Sequence, residues 1–184
     1  MRLLAAAERA EAPWKNGGGI TREIAAWPPH AGFDDFDWRI SQADVKVPGP
    51  FSRFEGIDRI LTVLDGRLAL TVDGMTMPVL TPDSAPLAFP GEAEVSGTPE
   101  GGLVYDLNLM VRRRRFTGQV TRLGAGEWRL DATANLVFAL TATTVAAGRD
   151  RFALKPRDAL IRDGGPAVDV RLEAPALLIS LTRR

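Results

Sequence analysis

Glycine and proline punctuate this chain so evenly that little room is left for long helices. Eighteen glycines and thirteen prolines are spread along all 184 residues. They leave a break roughly every 8–12 residues, the spacing of short strands joined by turns. Apolar residues at the helical period of about 3.6 are missing over any long stretch, and two-residue alternation stands in their place. Leu103, Tyr105, Leu107, Leu109 and Val111 alternate with Val104, Asp106, Asn108 and Met110. That pattern marks a strand with two distinct faces. The expected fold class is all-β.

Other strands follow from the same signals. Asp58–Leu64 and Arg67–Val72 flank Asp65-Gly66, a dipeptide suited to a tight hairpin turn, and Asp73-Gly74 opens a second turn. Ile20–Trp27 and Trp38–Val47 are further candidates. Beyond Phe116 come Gln119–Leu123, Glu127–Leu130, Leu136–Ala142, Ala159–Arg162, Val168–Leu172 and Leu177–Leu181, with Asp163-Gly164 as another turn. Residues 1–12 fit either one helical turn or an edge strand. The chain reads as two β-rich halves, 1–115 and 116–184, with a seam near Arg112–Thr117. Sandwiches and barrels are the architectures that accommodate such strand sets. A chain of this length buries roughly 70% of its unfolded surface, so it needs no disulfide or metal for stability.

Composition removes several chemistries. There is no cysteine, which excludes disulfides, thiolate metal sites and a cysteine nucleophile. The one histidine, His30, follows Pro28-Pro29 in what reads as an exposed loop. One histidine without cysteine cannot build a His/Cys zinc site. Formal net charge is zero, whereas a dedicated nucleic-acid binder usually carries a basic excess. The run Arg112–Arg115 lacks surrounding aromatic platforms and reads as a solvated charge run. The start, Met1–Ala7, begins like a secretory leader, but its apolar run stops at Glu8-Arg9, short of the about 7–15 residues such a segment needs. No apolar stretch approaches the ~20 residues of a membrane-spanning helix. The expected location is cytoplasmic, with no nucleic-acid or membrane partner.

Four clusters can carry chemistry. Pro13-Trp14-Lys15-Asn16-Gly17-Gly18-Gly19 offers an aromatic wall, a cation and an amide beside a flexible backbone. A strand rather than a helix follows it, so it does not read as a phosphate loop, and a plain structural turn stays open. Trp38-Arg39-Ile40-Ser41 puts Arg39 and Ser41 on one strand face. Gly49–Arg59 contains Phe51, Ser52, Phe54 and Asp58-Arg59. Arg59 there either forks a carboxylate or pairs locally with Asp58. Asp106 and Asn108 share the second face of their strand. Burying both requires hydrogen bonds, so they suggest a polar cavity, with a solvent-facing strand as the alternative.

These same stretches resemble the HutD/Ves family of bicupin-like proteins. The matching residues are Pro13–Gly19 with Thr21 and Glu23-Ile24; Trp38–Ser41; Gly49–Ser52 with Phe54, Gly56 and Asp58-Arg59; and Asp106 with Asn108, Met110 and Arg112-Arg113. They stand in the family's order over about residues 13–115. Glu55 stands where the family would lead one to expect proline. The resemblance implies two cupin-like barrels of RmlC-like jelly-roll type in one chain, without metal or other cofactor. It implies a binding protein for a small carboxylate metabolite, connected with histidine utilisation and with formylglutamate or urocanate as its signal. It also implies that the motif residues line one pocket. Lys15, Arg39 and Arg59 would offset the carboxylate, Asn16, Ser41 and Asn108 would read polar groups, and Trp14, Phe51 and Phe54 would form walls. Two other readings stay open. One is a metal-independent isomerase or hydrolase using Asp106 or Glu23 as acid–base group, and the other is a protein-interaction regulator. Oligomeric state, a homodimer included, is equally open.

Overall fold

A computed structural model describes residues 1–14 and 17–184. The strands are short and antiparallel, and among the described residues the helical structure is one 3-10 turn, Ala6–Glu8. Among the described residues no helix is long and apolar enough to cross a membrane. Contacts divide the chain into two units. One is Ala10–Arg115, and the other joins Met1–Arg9 to Phe116–Arg184. The opening residues, expected in a unit spanning 1–115, therefore change sides. The cause is β1 (Arg2–Leu4), which pairs antiparallel with the distant strand Ala159–Asp163.

The Ala10–Arg115 unit contains β2 (Glu11–Pro13), β3 (Gly19–Trp27), β4 (Trp38–Val45), β5 (Gly49–Pro50), β6 (Ile57–Asp65), β7 (Leu68–Val72), β8 (Met75–Thr76), β9 (Leu87–Pro90), β10 (Val95–Pro99) and β11 (Val104–Arg112). Six of them form a sheet in the order β2-β3-β4-β11-β6-β9, and four form another in the order β5-β10-β7-β8. Each sheet has two free edges, so the unit consists of two open sheets rather than the closed barrel expected. Val45, Leu61, Val63 and Val104 of the larger sheet meet Leu68, Leu70, Val72 and Val95 of the smaller in one apolar cluster. Full burial of each such side chain contributes about 1.5–3 kcal/mol.

The two aspartate–glycine turns behave differently. Asp73 and Gly74 both have positive φ, 47° and 77°, and close a β7–β8 hairpin, as their composition favours. Asp65-Gly66 does not make a hairpin. β6 pairs with β11 along its length and with β9 over Asp58–Leu61, whereas β7 pairs with β10 and β8 of the other sheet. The turn instead carries the chain to the other sheet.

The second unit adds β12 (Phe116–Leu123), β13 (Gly126–Leu130), β14 (Ala134–Ala139), β15 (Thr143–Ala147), β16 (Asp150–Leu154), β17 (Ala159–Asp163), β18 (Val168–Leu172) and β19 (Ala176–Arg183). Its sheets run β1-β17-β14-β19-β12 and β13-β18-β15-β16. The hairpin β15–β16 is missing from the sequence reading, which ran one strand on to Ala142. No glycine or proline separates Ala139 from Thr143 to mark the break. Leu123, Leu130, Val137, Val145, Leu160, Val170 and Leu172 belong to a buried cluster that fills this unit.

Candidate functional site

Every residue of β4 is buried, yet two neighbouring positions on its inner face, Arg39 and Ser41, are polar. The strand register explains the arrangement. Met110 of β11 stands opposite Arg39 on one side and Arg59 on the other. The two arginines therefore lie two strand spacings apart, about 10 Å between their Cα atoms. One inner-face step along, Asn108 is flanked by Ser41 and Leu61, and after another step Asp106 is flanked by Ala43 and Val63. Beyond Asp106 the same face becomes the apolar cluster. The polar rows line a half-open cavity of about 710 Å³ whose walls include Trp14, Thr21, Phe33, Arg39, Ser41, Phe51, Ser52, Phe54, Arg59, Asp106, Asn108 and Met110.

Arg59 is the central cation. It does not pair with Asp58, because alternation turns Asp58 outward, where it binds Arg113 at 2.6 Å. Arg59 points inward and is only 5% exposed. Its Nη1 donates to the Ser52 carbonyl at 3.0 Å, while its buried Nε has no hydrogen-bond partner. The rings of Phe51, Phe54 and Phe89 stand 5.4, 5.8 and 5.1 Å from the guanidinium carbon. Such rings attract a cation but do not replace the hydrogen bonds it gave up. Burial lowers the Arg59 pKa to about 10, against the opposing pull of Asp106, so it remains charged at neutral pH.

The opposite effect acts on Asp106. It is 2% exposed, and burial raises its pKa to about 7, with Arg59 pulling it down and Asp44 pushing it further up. Burial disfavours the charged form of either group, which lowers an arginine and raises an aspartate. Asn108 leaves its buried Oδ1 without a hydrogen-bond partner. Arg39 is lowered by burial and partly restored by Glu23, whose Oε2 lies 3.1 Å from its Nε. Phe33 covers Arg39 with its ring 4.1 Å from the guanidinium carbon and stacks on Phe54 at 5.7 Å.

Two glycines shape the walls by what they lack. A Cβ on Gly19 would lie 2.4 Å from the Asp44 carbonyl oxygen and 3.1 Å from the Trp14 indole. Its absence lets that ring lie close, with Trp14 Nε1 donating to Thr21 Oγ1 at 2.7 Å. A Cβ on Gly97 would meet the Phe51 ring at 2.9 Å.

Of the residues singled out from sequence, Trp14, Arg39, Ser41, Phe51, Phe54, Arg59, Asp106 and Asn108 come together on this one cavity. Glu23 is not among its lining residues. A register shift in β3 follows it, and it serves as the ion-pair partner of Arg39 instead. Lys15 and Asn16 lie outside the described residues. The sequence reading missed Phe33, which stands in an irregular loop with no periodicity to expose it, and the Ser52 carbonyl, which no side-chain pattern announces. Glu55 is exposed in a turn, and so is His30. The arginine run is mostly occupied by its own unit. Arg112 donates to the Phe36 and Asp34 carbonyls, Arg113 binds Asp58 and Glu92, and Arg115 binds Asp37. Among the described residues no three His, Cys, Asp or Glu side chains gather as a metal cluster.

Comparison with known proteins fits these motifs. The HutD family model matches residues 6–179. The chain belongs to the HutD family. One HutD relative is the uncharacterized 21.2 kDa protein of the hutC 3′ region of Pseudomonas putida, 39% identical over 145 residues that cover 78% of this chain and 75% of that one. Protein Ves of Citrobacter koseri is 37% identical over 108 residues, 58% of this chain and 56% of Ves. The structure of HutD from Pseudomonas fluorescens SBW25, obtained in a formate condition, superposes with a TM-score of 0.88 at 33% identity, over 100% of this chain and 98% of that one. A cupin 2 conserved barrel protein from Leptotrichia buccalis, at 10% identity and TM-score 0.62 over 98% and 100% of the two chains, identifies the HutD fold as cupin-like.

Proposed function

We propose that this HutD-family chain is a metal-free, non-catalytic, cytoplasmic binding protein whose Ala10–Arg115 cavity takes up a small carboxylate metabolite, and that occupancy modulates histidine utilisation. In this reading each unit is a cupin-like half of a bicupin. The observation that carries it is Arg59. It is a buried guanidinium with one hydrogen bond among the described residues, an orphaned Nε and a cavity in front of it. A carboxylate can bind a guanidinium through two parallel hydrogen bonds, which supplies what Arg59 lacks. The cavity volume lies within the roughly 300–1,000 Å³ usual for small-ligand sites, and apolar walls with a few convergent polar groups are the usual design.

Formylglutamate, urocanate, glutamate and histidine form the first panel for a thermal-shift screen. A ligand at about a hundred times its dissociation constant stabilises the fold by about 2.7 kcal/mol, a melting shift of roughly 5 °C at this size. Arg59→Lys keeps the charge but loses the planar fork and is expected to weaken binding, as is Asn108→Leu. If a ligand binds and both variants match the parent, the pocket assignment is wrong. If no acid shifts the melting temperature, a protein-interaction role replaces the binding role. One observation favours a catalytic alternative: a carboxyl with pKa about 7 suits general acid–base work at neutral pH. Consumption of any of the four compounds, lost in Asp106→Asn, would establish it.

A further inference from the structure

Asp106 is the acid within the binding cavity, and the charges around it are arranged unevenly. From β6 comes Arg59. From β4 come Arg39, already tied to Glu23 of β3 at 3.1 Å, and Asp44, whose Oδ2 is held by Arg22 of β3 at 2.8 Å. The segment after β5 presents Pro50, Phe51 and Ser52 to the cavity, and none of them titrates. Lys15 lies outside the described residues. Arg59 is therefore the described cation that favours an ionised Asp106, and it is also the group that faces the ligand in the binding reading above, on which this inference rests.

An anion seated on Arg59 engages that positive charge and brings its own negative charge into the cavity that Asp106 also lines. It also displaces water from the cavity. Each of these effects favours the neutral carboxyl. We propose that the cavity admits its anionic ligand together with one proton, taken from solvent and held on Asp106. The protonated carboxyl then becomes a hydrogen-bond donor on the β11 wall, so the ligand presents an acceptor there as well as a carboxylate to Arg59. Burial already brings Asp106 to about 7 in the unliganded protein. Proton uptake is therefore partial near neutrality and grows as pH rises above it.

The test is titration calorimetry with formylglutamate, urocanate and glutamate from about pH 6 to about pH 8.5, in buffers of differing ionisation enthalpy. The expected result is uptake approaching one proton per ligand on the alkaline side, with affinity falling by up to about tenfold per pH unit above about pH 7. Asp106→Asn carries no titrating proton, so its affinity should lose that pH dependence. Parent binding with no proton uptake overturns the inference and leaves the binding role standing. Uptake that persists in Asp106→Asn overturns it too, because another group then carries the proton. Failure of all three probes to bind, with no melting shift from histidine either, overturns both readings. If Asp106→Asn does not fold or bind, the parent's proton count decides alone.

Discussion

The two units follow one plan, a larger open sheet over a four-stranded one, but their interiors differ. In Ala10–Arg115 the inner faces beyond the apolar cluster carry Arg39, Ser41, Arg59, Asp106 and Asn108 around a cavity. In the other unit, alternation from Val137, Leu160 and Leu178 puts Asn135, Arg162 and Ser180 on the inner faces. Arg162 is 6% exposed and Arg59 is 5% exposed, so burial does not distinguish them. Hydrogen bonding does. Arg162 donates to the carbonyls of Ala132, Gly165 and Pro166 and to Asn135 Oδ1, and Asn135 in turn donates to Ser180. Arg59 makes one such bond among the described residues. One arginine is saturated and ties the structure together, while the other keeps an unpartnered Nε facing a cavity, which the proposed binding role would use.

The largest effect that could break this contrast is on stability. Arg162→Met removes bonds to four acceptors and is expected to cost about 3–5 kcal/mol in urea unfolding, because hydrogen bonds to charged groups are worth about 1.5–3 kcal/mol each and do not add fully. Arg59→Met removes a poorly satisfied buried cation and should change stability by less than about 1 kcal/mol, or raise it, while abolishing carboxylate binding. Equal losses in the two variants would erase the distinction.

Next comes Asp106→Asn. The folded carboxyl holds its proton to about pH 7, whereas the unfolded one loses it near pH 4. Stability from this group is therefore complete below about pH 4 and is lost as pH rises through about 7. The variant should match the parent near pH 4 and exceed it by about 1–3 kcal/mol near pH 8. A constant difference across that range would place the carboxyl in a far wetter setting. The smallest effect is expected from Phe33→Ala. Its ring is 56% exposed, so stability should fall by less than about 1 kcal/mol. Losing the ring over Arg39 should instead speed ligand release.

Much of the cavity was legible because strands alternate. Asp106 and Asn108 fall on one face of β11 whatever the rest of the fold does, and polar residues between Val104 and Met110 mark that face as unusual. Arg59 was only half legible. The sequence could not decide between Asp58 and a ligand until Asp58 was placed with Arg113, a residue 55 positions away. Non-local pairing hid the rest. β1 joins β17 across more than 150 residues, and Asp65-Gly66 changes sheets because β7 pairs with β10 and β8 rather than with β6. Phe33 reaches Arg39 and Phe54 from an irregular loop, where no period constrains a side chain.

The contrast between the two arginines is tested most directly by a crystal structure grown with a saturating ligand from the thermal-shift panel. The account predicts the ligand carboxylate at Arg59, accepting from Nε and Nη2 at about 2.7–2.9 Å, with Nη1 still on Ser52 and Arg162 unchanged. A ligand bound elsewhere with the cavity empty, or one seated in the cavity with Arg59 Nε still unpartnered, would contradict it.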